Sequence, residues 1–448
     1  MRIMIVIIAF FVYTALFKKA AGTLSLLKLN MISFSYYLSL IFCFIGASLI
    51  YCGFRDHYLA IKVTDETADK TYYILLWTLI MFPLSICIFN RLFGISNVEK
   101  SYNSMLKQNI SGMLNSDLVW LIVIVLSGLC ILSMIYVFKH IGFFTLTEFF
   151  NADSDTLARN RIKVTREFSG NTYIRNIVML GLTPVLSYFA YIYMRLTNQF
   201  KWKVLFGVLL ICSIIVKTYN FEKSPVVYYF FYFYVLEILL GNIKMIKYLV
   251  AVGALGIVVI LGFYYMVFDY NGPLLSLSSG PGGRIFITQI ATLFLHVQAF
   301  PELHPYLNGA SLPTIYSKLF GLESSWIRSG RVVMEVFNPS GVANGTAGVM
   351  NSIFVGEAYA NWGMVGVVIA PIFVGFLFSF VTCFFLKQKK TPLTIVTYLI
   401  IFMNYTQVLL GGFVDYLYSS VLLFMLFLVL GVSICKNRGK IKLMVSTR

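Results

Sequence analysis

Long apolar runs, rather than alternating positions, dominate the chain. Stretches with few or no charges recur near 3–17, 31–54, 72–93, 118–138, 174–194, 203–219, 225–240, 248–268, 363–386, 393–411 and 417–435. A helix needs about 20 mostly apolar residues to cross the hydrocarbon of a bilayer. The pattern therefore predicts about eleven transmembrane helices, with ten to twelve as the range because the first and seventh runs are short. An outer-membrane barrel would alternate polar and apolar residues along each strand, and no such alternation runs here. The expected fold is an all-α polytopic integral membrane protein, with residues 1–448 as a single membrane domain. Met1-Arg2 leads straight into the first run, and Lys18 and Lys19 follow it. A cleaved leader carries its charge before the apolar run, so this run reads as a retained span with its N-terminus outside.

Composition removes the soluble alternatives. Of the 448 residues 59% are hydrophobic and 12% charged, at a mean hydropathy of +0.82. A soluble domain carries about 25% charged residues, so an ordinary cytosolic enzyme and a disordered chain are both excluded. The seven cysteines lie in or beside apolar runs without a CxxC pair, which reads as packing rather than a disulfide framework or a metal cluster.

The net charge of +17 would suggest nucleic acid in a soluble chain, but no basic soluble domain exists to hold any, and no nucleic-acid partner is expected. Its distribution reads as topology. Segments 18–30, 91–117, 195–203, 241–247, 387–390 and the tail after Cys435 hold 19 Lys and Arg against 3 Asp and Glu, counting Glu237 with them. The remaining segments hold 16 and 15. Cytoplasmic loops are the ones enriched in Lys and Arg, so the first set faces the cytoplasm together with the C-terminus.

Two segments expected outside are long, 139–173 and 269–350, the second rich in Pro and Gly. Loops of that length are functional or disordered, and the aromatic and aliphatic content of the second argues for a folded lid with amphipathic helices. In the first, Arg159, Lys163 and Arg166 fall on one face of an amphipathic helix, opposite Leu157 and Val164. Such a stripe suits phosphate or pyrophosphate, whose oxygens guanidinium groups bind bidentately; a solvated helix resting on lipid headgroups is the plainer alternative. Asp153 and Asp155 spell DxD, but an N-cap and an Asp155–Arg159 pair explain them without a metal.

The second loop opens with Ser279-Gly-Pro-Gly-Gly283-Arg284, a flexible turn rather than a Walker loop because no Gly-Lys-Ser/Thr follows. Arg284, Thr288, Thr292 and His296 then recur at steps of four as a polar strip. Twelve residues rise about 18 Å, so Arg284 and His296 would serve different ends of a substrate. His304, Arg328 and Arg331 add chemistry further along, and Glu222, Lys223 and Asp415 sit in short external turns. Glu357 stands at the outer mouth of a span, where a carboxylate costs a few kcal/mol unless paired. It calls for a partner arginine or a chemical task.

The architecture resembles the bacterial oligosaccharide repeat-unit polymerases, the Wzy-type O-antigen and capsule polymerases, which are related to O-antigen ligases. The residues that carry the resemblance are Arg284, the string FPELHPYLNGASL from Phe300 to Leu312, and GEAYANWGMVG from Gly356 to Gly366, with Trp362 where phenylalanine is common. The match covers mainly 139–175 and 270–370. It implies a GT-C-like, metal-independent, inverting glycosyltransferase of the bacterial inner membrane, without cofactor, whose active site faces outward. Its substrates would be undecaprenyl-pyrophosphate-linked donor and acceptor repeat units in the lipid bilayer, and a chain-length regulator is a further candidate partner. On this resemblance Arg284, with Arg159, Arg166 or Arg331, would clamp the donor pyrophosphate, and Glu357 or His296 would orient or deprotonate the acceptor hydroxyl, Glu357 being preferred because it lies in the better-matching string. Lys163, Arg328, His304, Tyr359 and Asn361 would complete the substrate site. The rivals are an O-antigen ligase and a lipid-linked oligosaccharide flippase. A flippase would show paired halves with broken helices, and no internal repeat stands out in this sequence.

Overall fold

The computed structural model describes residues 1–111, 117–147, 154–165, 167–222, 224–241, 251, 253–256, 258, 276–321, 326–344 and 347–427. The expected span at 248–268 falls largely outside these residues, as do Asp153, Arg166, Lys223 and the tail after Cys435.

The described residues form helices and no strand. In chain order the principal ones are α1 (Arg2–Ala21), α2 (Met31–Tyr51), α3 (Asp65–Leu92), α4 (Val98–Lys107), α5 (Asp117–Ile141), α6 (Ser154–Thr165), α7 (Ile174–Thr197), α8 (Phe200–Thr218), α9 (Ser224–Leu240), α10 (Gln289–Ala299), α11 (Ser329–Phe337), α12 (Phe354–Lys387) and α13 (Pro392–Val408). Among the described residues six segments are long and apolar enough to cross a membrane: Arg2–Lys28, α2, α3, α5, α7 and α12. Helix α9 and helix α13 are apolar but shorter. The expected run 417–435 is interrupted, because Tyr418 and Ser419 leave helical geometry before the chain is helical again over 420–427.

Local chemistry sets the helix starts. Asn30 and Ser33 form a reciprocal capping box on α2, and Thr64 caps α3 ahead of Asp65 and Glu66 in its first turn, where acids complement the helix dipole. Helix α5 shows how such a helix meets lipid. Val123, Ser127, Cys130, Met134 and Val137 are buried along one face, while Leu121, Val125, Leu129, Leu132 and Ile135 lie exposed on the other. An exposed apolar stripe of this extent suits hydrocarbon rather than water.

The chain divides into two compact units. The first comprises 1–105, 264–387 and 404–418; the second comprises 106–263, 388–403 and 419–448. In the first unit α12 packs along α3, and α1 packs on α3 as well. Helix α10, expected as part of an external lid, is instead a core element: Ile290, Ala291, Leu293, Phe294 and Leu295 are fully buried. Helix α11 has a one-sided face, with Val332 and Val333 buried and Glu335 exposed. In the second unit α7 and α8 form a tight antiparallel pair through Asn198, which takes the left-handed conformation at φ 53°.

Candidate functional site

The site begins at a break in a helix. Helix α12 starts at Phe354, nine residues before the apolar run at 363–386, and leaves helical geometry at Trp362 and Gly363. Gly363 has φ +58° and ψ −138°, a conformation that a side chain strongly disfavours. A Cβ on Gly366 would lie 2.1 Å from the Ala358 carbonyl oxygen, so the break also needs a glycine there.

Breaking a helix frees carbonyls that need donors. The turn at 307–309 supplies them: Leu307 N–H donates to Ala360 O at 2.9 Å and Asn308 N–H to Asn361 O at 3.0 Å. Asn361 fixes the same turn with its side chain, accepting from Gly309 N–H at 3.1 Å and donating to Glu357 O at 2.8 Å. Tyr359 donates its hydroxyl to Phe300 O at 3.1 Å and packs edge-on against Tyr306, while Lys70 lies over its ring at 5.5 Å. The two strings that carry the resemblance thus form one interlocked junction. Tyr359 and Asn361, expected to touch substrate, spend their polar groups on that junction.

Beside the junction lies an ion cluster centred on Arg328. Its Nε donates to Glu357 Oε1 at 2.9 Å, and Nη1 and Nη2 reach the two carboxylate oxygens of Asp415 at 3.0 and 3.1 Å. The second Glu357 oxygen accepts from Val414 N–H at 3.0 Å. Side-chain exposure rises from 4% at Glu357 through 26% at Arg328 to 37% at Asp415. Burial works against the Arg328 charge, but Glu357 and Asp415 outweigh it and hold its pKa above the ordinary arginine value. A Cβ on Gly412 would fall 2.5 Å from Glu357 Oε2 and 2.7 Å from Arg328 Nη2, so the turn can approach the pair this closely only with glycine there.

The geometry assigns different tasks within the cluster. Glu357 is buried, has both oxygens engaged and has no open side toward a substrate. It anchors Arg328. Asp415 is the carboxylate that meets solvent, and each of its oxygens keeps a further lone pair after accepting from Arg328. Asp415, Val414 and Gly412 are members of the cluster that the sequence leaves unassigned or undervalued. The signal for them was a Gly411-Gly412 pair with an acid three residues on, inside an otherwise apolar stretch.

The polar strip on the segment leading into α10 is a set of structural ties except at its first member. Thr288 Oγ1 bonds His57 Nε2 at 3.1 Å, and Thr292 Oγ1 donates to Asn351 O at 2.8 Å. His296 Nδ1 lies 2.7 Å from Thr292 O, and Nε2 lies 3.2 Å from Ser329 Oγ. A carbonyl accepts only, so Nδ1 carries the proton and Nε2 accepts from the Ser329 hydroxyl. His296 is 1% exposed, and burial pushes its pKa down to about 4. The imidazole is thus neutral and enclosed, with both nitrogens engaged within the protein.

Arg284 differs from the rest of its strip. It is exposed, and no hydrogen bond or ion pair engages its guanidinium among the described residues. Gln289, five residues on, donates to Leu410 O at 3.1 Å, which ties the helix carrying Arg284 to the turn that holds Gly412 and Asp415. His304 Nδ1 bonds Pro305 O at 2.7 Å. Arg331 pairs with Glu335 at 2.6 Å along α11, so its charge is already matched.

In the second unit α6 is docked by Val164, which is fully buried. Its last carbonyls accept from Arg175 (Val164 O, 2.8 Å) and from the Tyr219 hydroxyl (3.0 Å). Arg161 pairs with Glu222, while Arg159 and Lys163 are exposed; Arg159 touches Thr156 at 3.3 Å, and Lys163 lies over Phe143 at 5.3 Å. Among the described residues no group of three or more His, Cys, Asp or Glu stands in metal-binding proximity. No protein-family model matches the chain, and neither a curated protein nor a solved structure is similar to it.

Proposed function

We propose that this chain is a membrane glycosyltransferase that polymerises undecaprenyl-pyrophosphate-linked oligosaccharide repeat units into O-antigen, capsule or a related surface polysaccharide. In this reading it is a GT-C-like protein of about eleven spans in the bacterial inner membrane, with its C-terminus cytoplasmic and its active site on the outer face. The observation that carries the proposal is the Arg328 cluster. A solvent-facing carboxylate, Asp415, is held in a fixed orientation by an arginine that a buried glutamate locks from behind. Arg284, exposed and without a side-chain partner among the described residues, lies on the helix tied to the same turn.

These parts suit transfer from a lipid pyrophosphate. Asp415 accepts the proton of the acceptor hydroxyl as that oxygen attacks the anomeric carbon of the growing glycan. The bond from that carbon to the pyrophosphate oxygen breaks, and its electron pair leaves with the pyrophosphate. Fixed positive charge where this negative charge develops lowers the barrier, which is the role assigned to Arg284. Arg159 and Lys163, exposed on α6, are the further candidates for anionic substrate groups.

The test is incubation of the purified full chain in detergent with lipid-pyrophosphate-linked repeat units. A glycan ladder, lost in Asp415→Asn and in Arg284→Ala at unchanged protein stability, supports the reading. Transfer of preformed glycan to a lipid A–core acceptor without a ladder would assign a ligase instead. Movement of lipid-linked oligosaccharide across vesicles without any new glycosidic bond would assign a transporter.

A further inference from the structure

The second unit contains a cleft whose lining is entirely apolar. Helix α5 contributes Val119, Val123 and Leu126, α7 contributes Leu186, and the first half of α13 contributes Val396 and Ile400. The atom-free space, counted out to its open side, is about 560 Å³. From Val119 to Leu126 the helix rises about 10 Å, enough to take a segment of one hydrocarbon chain. An apolar space in a bilayer has hydrocarbon as its natural content, so the question is which lipid the surroundings select.

The answer lies at one end of the cleft. Trp120 packs edge-on against Trp202 at 4.9 Å, and Trp202 lies 4.5 Å from Tyr193. Lys201 sits over the Trp120 ring at 5.3 Å and pairs with Asp117 at 3.7 Å. Tryptophan and tyrosine gather where headgroups meet hydrocarbon. Further lysines belong to this end: Lys203 and Lys389 are exposed, and Lys389 lies four residues before the lining residue Leu393. The start of α13 belongs to the same end, since Ser111 N–H, six residues before Asp117, donates to Lys390 O at 2.9 Å. Of the acids at this end Asp117 is 97% exposed at its side chain, and Glu237 is buried and paired with Arg195. Basic residues at the headgroup level attract anionic lipid.

We propose that this cleft is a binding site for an anionic glycerophospholipid, with one acyl chain between α5, α7 and α13 and its phosphate among Lys201, Lys203 and Lys389. The occupant comes from the leaflet that the basic segments face. The site stands on the cleft and its charged rim, and does not depend on the glycosyltransferase reading.

Native mass spectrometry of the detergent-purified full chain tests it. The probes are phosphatidylglycerol, phosphatidylcholine with the same acyl chains, and undecaprenyl phosphate. Phosphatidylglycerol should bind at least tenfold more tightly than phosphatidylcholine. Val396→Phe, which fills the cleft, should lower phosphatidylglycerol binding at least tenfold. The variant Lys203→Gln/Lys389→Gln should bring phosphatidylglycerol down to the phosphatidylcholine level. If the filled variant fails to fold, the lysine variant decides alone. Equal binding of the two phospholipids by the native chain would overturn the proposal. So would undiminished binding in a folded Val396→Phe protein, or tighter binding of undecaprenyl phosphate than of phosphatidylglycerol at this cleft.

Discussion

Replacing Arg328 by methionine separates holding from folding at the proposed site. The substitution leaves Glu357, 4% exposed at its side chain, with the Val414 N–H as its remaining donor in the cluster. Removing one partner of a buried ion pair costs about 3–5 kcal/mol, because the other charge stays desolvated. Arg328 is itself 26% exposed, so water can enter the vacated space, and the expected loss lies near the lower bound, about 3 kcal/mol. Asp415, 37% exposed at its side chain, stays in contact with water when Arg328 is removed and adds less than about 1 kcal/mol. In the double variant Arg328→Met/Glu357→Gln the buried charge is gone, while the new amide oxygen still accepts from Val414. The double variant should therefore recover about 2 kcal/mol of the loss, because substitutions at residues in direct contact do not add independently. The assay is equilibrium unfolding in mixed micelles, followed by tryptophan fluorescence, alongside glycan transfer. Stability should return in the double variant and transfer should not, since nothing then orients Asp415. An Arg328→Met protein within about 1 kcal/mol of native, or a double variant no more stable than the single, would refute the cluster as the element that holds this site.

The remaining predictions follow from single contacts. Gly363→Ala puts a side chain at φ +58° with its Cβ 3.0 Å from the Tyr306 ring, and should cost about 1–3 kcal/mol in unfolding measurements. Asn361→Ala leaves the buried Gly309 N–H without its acceptor, so it should destabilise by about 1–3 kcal/mol and open the 300–312 segment to limited proteolysis. His296 has a folded pKa of about 4 against an ordinary 6.5, so the unfolded chain binds the proton more readily than the folded one. Stability should be unaffected above pH 6.5, fall as pH drops below it and level off below pH 4, with a loss of about 2 kcal/mol between pH 7 and pH 5. His296→Gln should flatten that part of the stability–pH profile.

The apolar runs were legible because crossing hydrocarbon is a requirement on composition and length, which needs no tertiary context. Helix α12 shows where that reasoning stops. The run begins at Gly363 because Glu357 and Asn361 interrupt it, yet the helix begins at Phe354. Its first turns are admissible because Arg328, Val414 and the 307–309 turn satisfy those polar groups. Each of those partners is far away in sequence. Glu357 could likewise be read as an acid that calls for an arginine, but several loop arginines were available. The choice of Arg328, 29 residues earlier, follows from the packing of α11 beside α10 and α12. The polar strip before and along α10 was visible as a four-residue period. The period alone does not separate a tie from a ligand, and the structure gives Thr288, Thr292 and His296 partners within the protein.

A polar residue in an apolar protein is expensive, and cost is what made Glu357, His296, Tyr359 and Asn361 conspicuous. That same cost explains why each is bonded within the protein. A buried polar group must have its bonding capacity met inside the protein, and one whose capacity is met has little left for a substrate. The groups able to act are those for which water stands in until a substrate arrives, and such groups cost little and are quiet in the sequence. Asp415 is an acid in a short turn, and Arg284 is an arginine after glycines. What the expensive residues contribute is placement: Glu357 fixes Arg328, Arg328 fixes Asp415, and the Gly363 break with its capped carbonyls holds the helix end on which Glu357 stands. On this logic, variants of the buried set should lose activity together with stability, whereas Asp415→Asn and Arg284→Ala should lose activity alone. Loss of transfer in Glu357→Gln without any loss of stability would return the chemistry to the buried glutamate.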